Sequence, residues 1–155
     1  MPPAENTGGS LTVEQAGLLW CMRIWVVGQR DGRAVSGRIE TVAAQLDAPD
    51  AGHFIEAFMA ALNRGATRGV EVGCLRCPRV GADEQLLLDT LGLTQERRTF
   101  EALLALKPLI LPEPARAAVL NAEGVGTALA RVGRFLPAPP AATADLGTWF
   151  GIFSP

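Results

Sequence analysis

Two cysteines separated by two residues, Cys74-Leu75-Arg76-Cys77, form the most motif-like pattern in the chain. Such a pair can close on one metal ion, because the turn between the thiolates lets both sulfurs face inward. A structural zinc site needs about four ligands. A second CxxC pair is missing, and Cys21, His53 and Asp83 stand at no ligand-like spacing. The expectation is therefore no metal and no cofactor, with Cys74, Cys77, His53 and Cys21 as the candidate ligands if zinc binds at all. Thioredoxin-like chemistry needs the CxxC at a helix N-terminus after a strand. Here Pro78 follows directly and no βαβ pattern surrounds the pair. The simpler reading is two small thiols tucked under a loop.

Other candidate groups are sparse. His53 is the one histidine, three residues after Asp50, and no serine, cysteine or paired carboxylate neighbours it in sequence. It reads as a structural or solvated residue of a first helical turn, and a general base only by tertiary accident. Asp83 and Glu84 are an acid pair in name alone: neighbours at i and i+1 do not share a helix face. Carboxylates in a first turn are explained by the helix dipole. Glu123-Gly124-Val125-Gly126-Thr127 lacks the third glycine and the preceding strand of a dinucleotide loop. No catalytic residue is assigned.

Arg64, Arg68, Arg76 and Arg79 gather positive charge around the cysteines, with Glu71 alone opposing them between positions 64 and 80. They are candidate anion-binding residues. The loop between them has no aromatic side chain to stack on bases, and formal net charge is −2 over 155 residues. Nucleic acid is therefore not the expected partner.

The elements that must position these groups read as helices. Thr12 and Gln15 have capping-box spacing, and the helix they open should run to about Arg30, stopped by Asp31-Gly32. It is apolar on nearly every side, with Trp20 and Trp25 on different rows, so it is either a central helix or the seam of a dimer. Further helices are expected from Ser36 to Leu46, from an Asp50 N-cap to Gly65, from Gly81 to Gly92, from a Thr94 cap to Lys107-Pro108, and after Pro112. The last carries Ala118, Ala122, Val125, Leu129 and Val132 in one row, and Gly124 and Gly126 predict a bend or split there. Residues 66–82 break the pattern, with Val70-Glu71-Val72 alternating as a short strand would. The fold expected is an all-α bundle of five or six helices with an irregular loop, holding one short β segment, around 66–82. Residues 1–9 read as a flexible start, 10–136 as the helical domain, and 137–155 as a Pro/Ala-rich linker and apolar C-terminal tail.

Nearly half the residues are apolar and mean hydropathy is positive. No apolar run approaches the roughly 18–20 residues of a membrane span, and Met1 to Asn6 carries neither part of a secretory signal. The expectation is a cytoplasmic protein with reduced thiols and no membrane contact. The excess of apolar residues is the more informative feature. Trp20, Trp25, Trp149, Phe150, Ile152 and Phe153 are candidate interface residues, the last four either latching onto the bundle or docking on a neighbour. The reading is a non-enzymatic module that self-associates as a homo-oligomer or binds a protein partner. The alternative is a metal- or small-ligand-binding module built on the Cys74/Cys77 loop.

Overall fold

The computed structural model describes residues 10–141. The expectations for residues 1–9 and for Trp149, Phe150, Ile152 and Phe153 lie outside them. Six helices follow one another: α1 (Val13–Asp31), α2 (Ser36–Gln45), α3 (Pro49–Gly65), α4 (Ala82–Gln95), α5 (Thr99–Leu106) and α6 (Pro112–Ala130). The protein is an all-α bundle.

Local chemistry explains most boundaries. Thr12 caps α1 reciprocally: its hydroxyl accepts from the Gln15 amide at 3.1 Å, and the Gln15 side chain accepts from the Thr12 amide at 3.0 Å. Gly32 ends the helix at φ 67°, a left-handed conformation that glycine adopts without a Cβ penalty. Four expected signals work differently. Asp50 lies in the first turn of α3, not at its cap, because Pro49 takes the first helical position. Gly65 is the last residue of α3 and is packed on Pro114. Gly92 does not end α4, which continues to Gln95. Thr94 is a buried interior residue whose hydroxyl donates back to the Leu91 carbonyl at 2.9 Å.

The core is centred on α3 and α6, which share the most extensive contact in the bundle. Ala51, Ile55, Phe58, Ala61 and Leu62 of α3 are buried, as are Ala115, Ala118, Ala122, Val125 and Leu129 of α6. Alanine and glycine let the two backbones approach. Gly124 sits against the ring of Phe54 on α3, and Gly126 against Gln95 at the end of α4. The two glycines therefore mark close approach, and α6 runs through them unbroken. Val132 departs from the expected row and is 44% exposed, since the helix has ended before it.

α1 is covered by its own chain. Leu18, Leu19, Cys21, Met22, Ile24 and Trp25 are buried, and Trp20, Val26 and Val27 are half-buried against the same core. Its apolar girth is thus accounted for within one chain. Among the described residues no helix is long and apolar enough to cross a membrane.

Candidate functional site

The loop between α3 and α4 is the longest connection between helices among the described residues, and its conformation is set by a residue far away in sequence. Arg23 of α1 is 4% exposed. Its guanidinium donates to Glu84 through Nε at 2.7 Å and Nη2 at 2.8 Å, to the Cys77 carbonyl through Nη1 at 2.9 Å, and to the Arg79 carbonyl through Nη2 at 2.8 Å. Glu84, 1% exposed, also accepts from the amides of Gly73 at 2.8 Å and Gly81 at 2.9 Å. A planar donor fork suits a carboxylate and two carbonyls in a way an ammonium could not. Among the described residues, no buried side-chain nitrogen or oxygen lacks a partner.

Asp83, the preceding residue, faces a different way. It binds both Nη atoms of Arg68, at 2.8 and 2.9 Å, and accepts from the Glu71 amide at 2.8 Å. The adjacent acids therefore hold the two ends of the loop separately, as their different helix faces require. Beyond meeting the helix dipole, they organise the loop. Burial pushes the Glu84 carboxyl up, but Arg23 and the two amides outweigh it and its pKa falls below the ordinary value. The Arg68 guanidinium and the Glu71 amide likewise hold Asp83 below its ordinary value against a smaller burial effect.

This arrangement explains why Val70-Glu71-Val72 is not a strand. The amides of Glu71 and Gly73 are taken by carboxylates where a partner strand would stand. The only β bridge among the described residues pairs Ala66 with Ile110, tying the start of the loop to the α5–α6 connection.

The cysteines turn outward. Cys74 is exposed and Cys77 half-buried, both as free thiols, with the Cys77 amide donating to the Cys74 carbonyl at 3.1 Å in a tight turn. Cys21 is buried in the core, where desolvation and the Glu56 charge push its thiol up to about 12. His53 is exposed, its ring edge-on to Phe54. No group of three or more potential metal ligands occurs among the described residues. Of the four arginines, Arg68 is occupied by Asp83. Arg64, Arg76 and Arg79 are exposed, with no ion pair among the described residues.

Beside the loop lies a cleft of about 470 Å³. Its walls are Trp25, Val26, Gln29 and Arg30 from α1, Met59, Leu62 and Asn63 from α3, and Ala66, Arg68, Gly69, Val70 and Val72 from the loop. Trp25, Met59 and Leu62 make an apolar floor that is itself nearly covered. Arg30, Gln29, Asn63 and Arg68 make a polar rim. Of the expected interface residues, Trp25 belongs here, while Trp20 packs half-buried on the core. Sequence reasoning missed Arg23 as the organiser. The signal was available: Arg23 is the one charged residue between Ala16 and Gly28 of an apolar stretch, and a charge placed there requires a buried partner. Comparison with family models, curated proteins and solved structures gives no match to this chain.

Proposed function

We propose that the chain is a non-catalytic protein-interaction module, and that its recognition surface is the cleft between α1, α3 and residues 66–72. The observation that carries this reading is the combination of an apolar floor with an arginine-bearing rim. Arg30 and Arg68 line the cleft, and Arg64 follows the lining residue Asn63. Such a surface complements a protein segment that presents apolar side chains flanked by carboxylates. The loop wall is fixed beforehand by the Arg23–Glu84 and Arg68–Asp83 pairs, so little ordering cost attends binding. His53 and Cys74 are exposed and Cys77 is half-buried, and none of the three lines the cleft.

A second reading, a small amphipathic anion as ligand, is favoured by the cleft volume, which falls within the usual range for small-molecule sites. One titration separates the two. In a W20F/W149F background, Trp25 emission reports on the cleft. A short peptide of alternating leucine and glutamate is expected to shift that emission saturably. Gly69→Phe should abolish the shift, because Gly69 lines the cleft and has open space around it. No saturable shift, or one indifferent to G69F, overturns the proposal. Saturable binding of anilinonaphthalene sulfonate without peptide binding selects the second reading.

A further inference from the structure

We infer that Cys74 and Cys77 are a reversible dithiol–disulfide site whose partner in exchange is a low-molecular-weight disulfide. The pair closes a tight turn. Leu75 and Arg76 form its corner, and the Cys77 amide donates to the Cys74 carbonyl at 3.1 Å. A hydrogen-bonded turn of four residues holds its first and fourth Cα atoms within about 7 Å of each other. A disulfide joins Cα atoms about 4.4–6.8 Å apart. The two cysteines thus stand at bridging range before any oxidant arrives. Both are free thiols, Cys74 exposed and Cys77 half-buried.

The turn is held from behind. The Gly73 amide donates to Glu84 at 2.8 Å, while Arg23 donates to the Cys77 carbonyl at 2.9 Å and the Arg79 carbonyl at 2.8 Å. Both flanks of the turn therefore hang on one buried ion pair. Packing there is close: a Cβ at Gly73 would stand 3.3 Å from the Cys77 Cβ and 3.2 Å from Nη2 of Arg23. Among the described residues no group of three potential metal ligands forms, and the nearby Asp83 and Glu84 are committed to Arg68 and Arg23. Two sulfurs are what this turn offers, and their own coupling is the chemistry open to them. α4 begins only at Ala82, so the pair does not stand at a helix N-terminus as a catalytic CxxC does. It is a target of exchange, not a catalyst of it. The exchange runs in two steps. The Cys74 thiolate attacks one sulfur of the external disulfide, forming a mixed disulfide and releasing one thiol. The Cys77 thiolate then attacks Sγ of Cys74, closing the internal disulfide and releasing the second thiol. Two cysteine thiols are oxidised, the external disulfide is reduced to two thiols, and the two cysteine protons end on those thiols.

The test equilibrates the full chain carrying Cys21→Ala, which leaves two thiols, with mixtures of oxidised and reduced glutathione. Acid-quenched samples are read by mass spectrometry, once from buffer and once from concentrated urea. The expected product in buffer is the internal disulfide. Its equilibrium constant against glutathione should exceed the value in urea by about tenfold or more, because folding has already removed the backbone freedom of Leu75 and Arg76. By linkage the oxidised chain should resist urea better than the reduced one by the same factor, about 1.4 kcal/mol for each tenfold. The unmodified chain, whose Cys21 is buried, should give the same product in buffer. C77S should stop at one glutathione on Cys74. A constant in buffer no higher than in urea overturns the inference. So does a folded chain that ends with glutathione on both cysteines, or with both left as thiols.

Discussion

Removing the Arg23 side chain tests whether one residue of α1 holds the loop. The pair it forms with Glu84 is buried on both sides, with side-chain exposures of 5% and 2%. Arg23→Met keeps an unbranched apolar stem but strands the Glu84 carboxylate and frees the Cys77 and Arg79 carbonyls. Breaking a buried pair from one side costs about 3–5 kcal/mol. Against a total stability of about 5–15 kcal/mol for an ordinary domain, that is a large fraction. In the R23M/E84L double variant neither charge of this pair remains buried, and water can reach the half-exposed loop groups. The double variant should therefore cost at least about 2 kcal/mol less than the sum of the single ones. Urea unfolding followed by circular dichroism measures all four proteins, with an unchanged denaturant slope as the check on two-state behaviour. In parallel, Cys77 should become more reactive toward Ellman's reagent in R23M, because its carbonyl anchor is lost. The reasoning is refuted if R23M costs less than about 1 kcal/mol, the range of a surface ion pair, or if the two substitutions add.

In the unmodified chain, Cys74 and Cys77 should react promptly with Ellman's reagent, while Cys21, with its pKa near 12, should react only on unfolding. Three promptly reacting thiols would contradict the burial of Cys21. Gly124→Ala should lower stability by about 1–3 kcal/mol despite the better helix propensity of alanine, because the new Cβ meets the Phe54 ring. Gly37→Ala, with open space around it, should be neutral or stabilising by about 0.5 kcal/mol. Thermal melts that rank the two variants the other way would refute this packing argument. The Glu84 and Asp83 carboxyls, both depressed on folding, contribute stability that is complete above their ordinary values of 4.5 and 3.8. That contribution is lost as pH falls through their lower folded values. The amide shifts of Glu71, Gly73 and Gly81 report these titrations, and midpoints at or above 4.5 and 3.8 would contradict the assignment.

Local signals made the helices legible because each is complete in a few residues: the Thr12/Gln15 cap, the αL stop at Gly32, the amphipathic rows of α3 and α6. They failed where a distant partner decides. Gly124 looks like a helix breaker until the Phe54 ring fills the space a side chain would need. Thr94 looks like a cap until burial turns its hydroxyl back on Leu91. The alternation Val70-Glu71-Val72 looks like a strand until its flanking amides are claimed by Asp83 and Glu84. The candidate site was half visible. The Arg/Cys loop stood out by composition, and Trp25 by its apolar bulk. That the cleft belongs to the valine flank of the loop, with the cysteines facing away, depends on a contact between residues 23 and 84, which no local pattern encodes.

The two acids at the head of α4 divide the loop into parts with different consequences. Asp83 fixes Arg68 and Glu71, next to the residues that wall the cleft, whereas Glu84 fixes Gly73 and Gly81 and, through Arg23, the turn of the cysteines. The first pair is partly open to solvent, with Arg68 48% exposed in its side chain, and so contributes modestly and responds to salt. The second is buried and responds little. The wall of the proposed cleft is thus held by the weaker pair, and the rest of the loop by the stronger. On the proposed reading, an acidic segment entering the cleft would compete with Asp83 for Arg68 and with the more distant Asp31 for Arg30. The Arg68–Asp83 pair and the Arg23–Glu84 clamp both hold the loop before such a partner arrives, the first sensitive to salt and the second not.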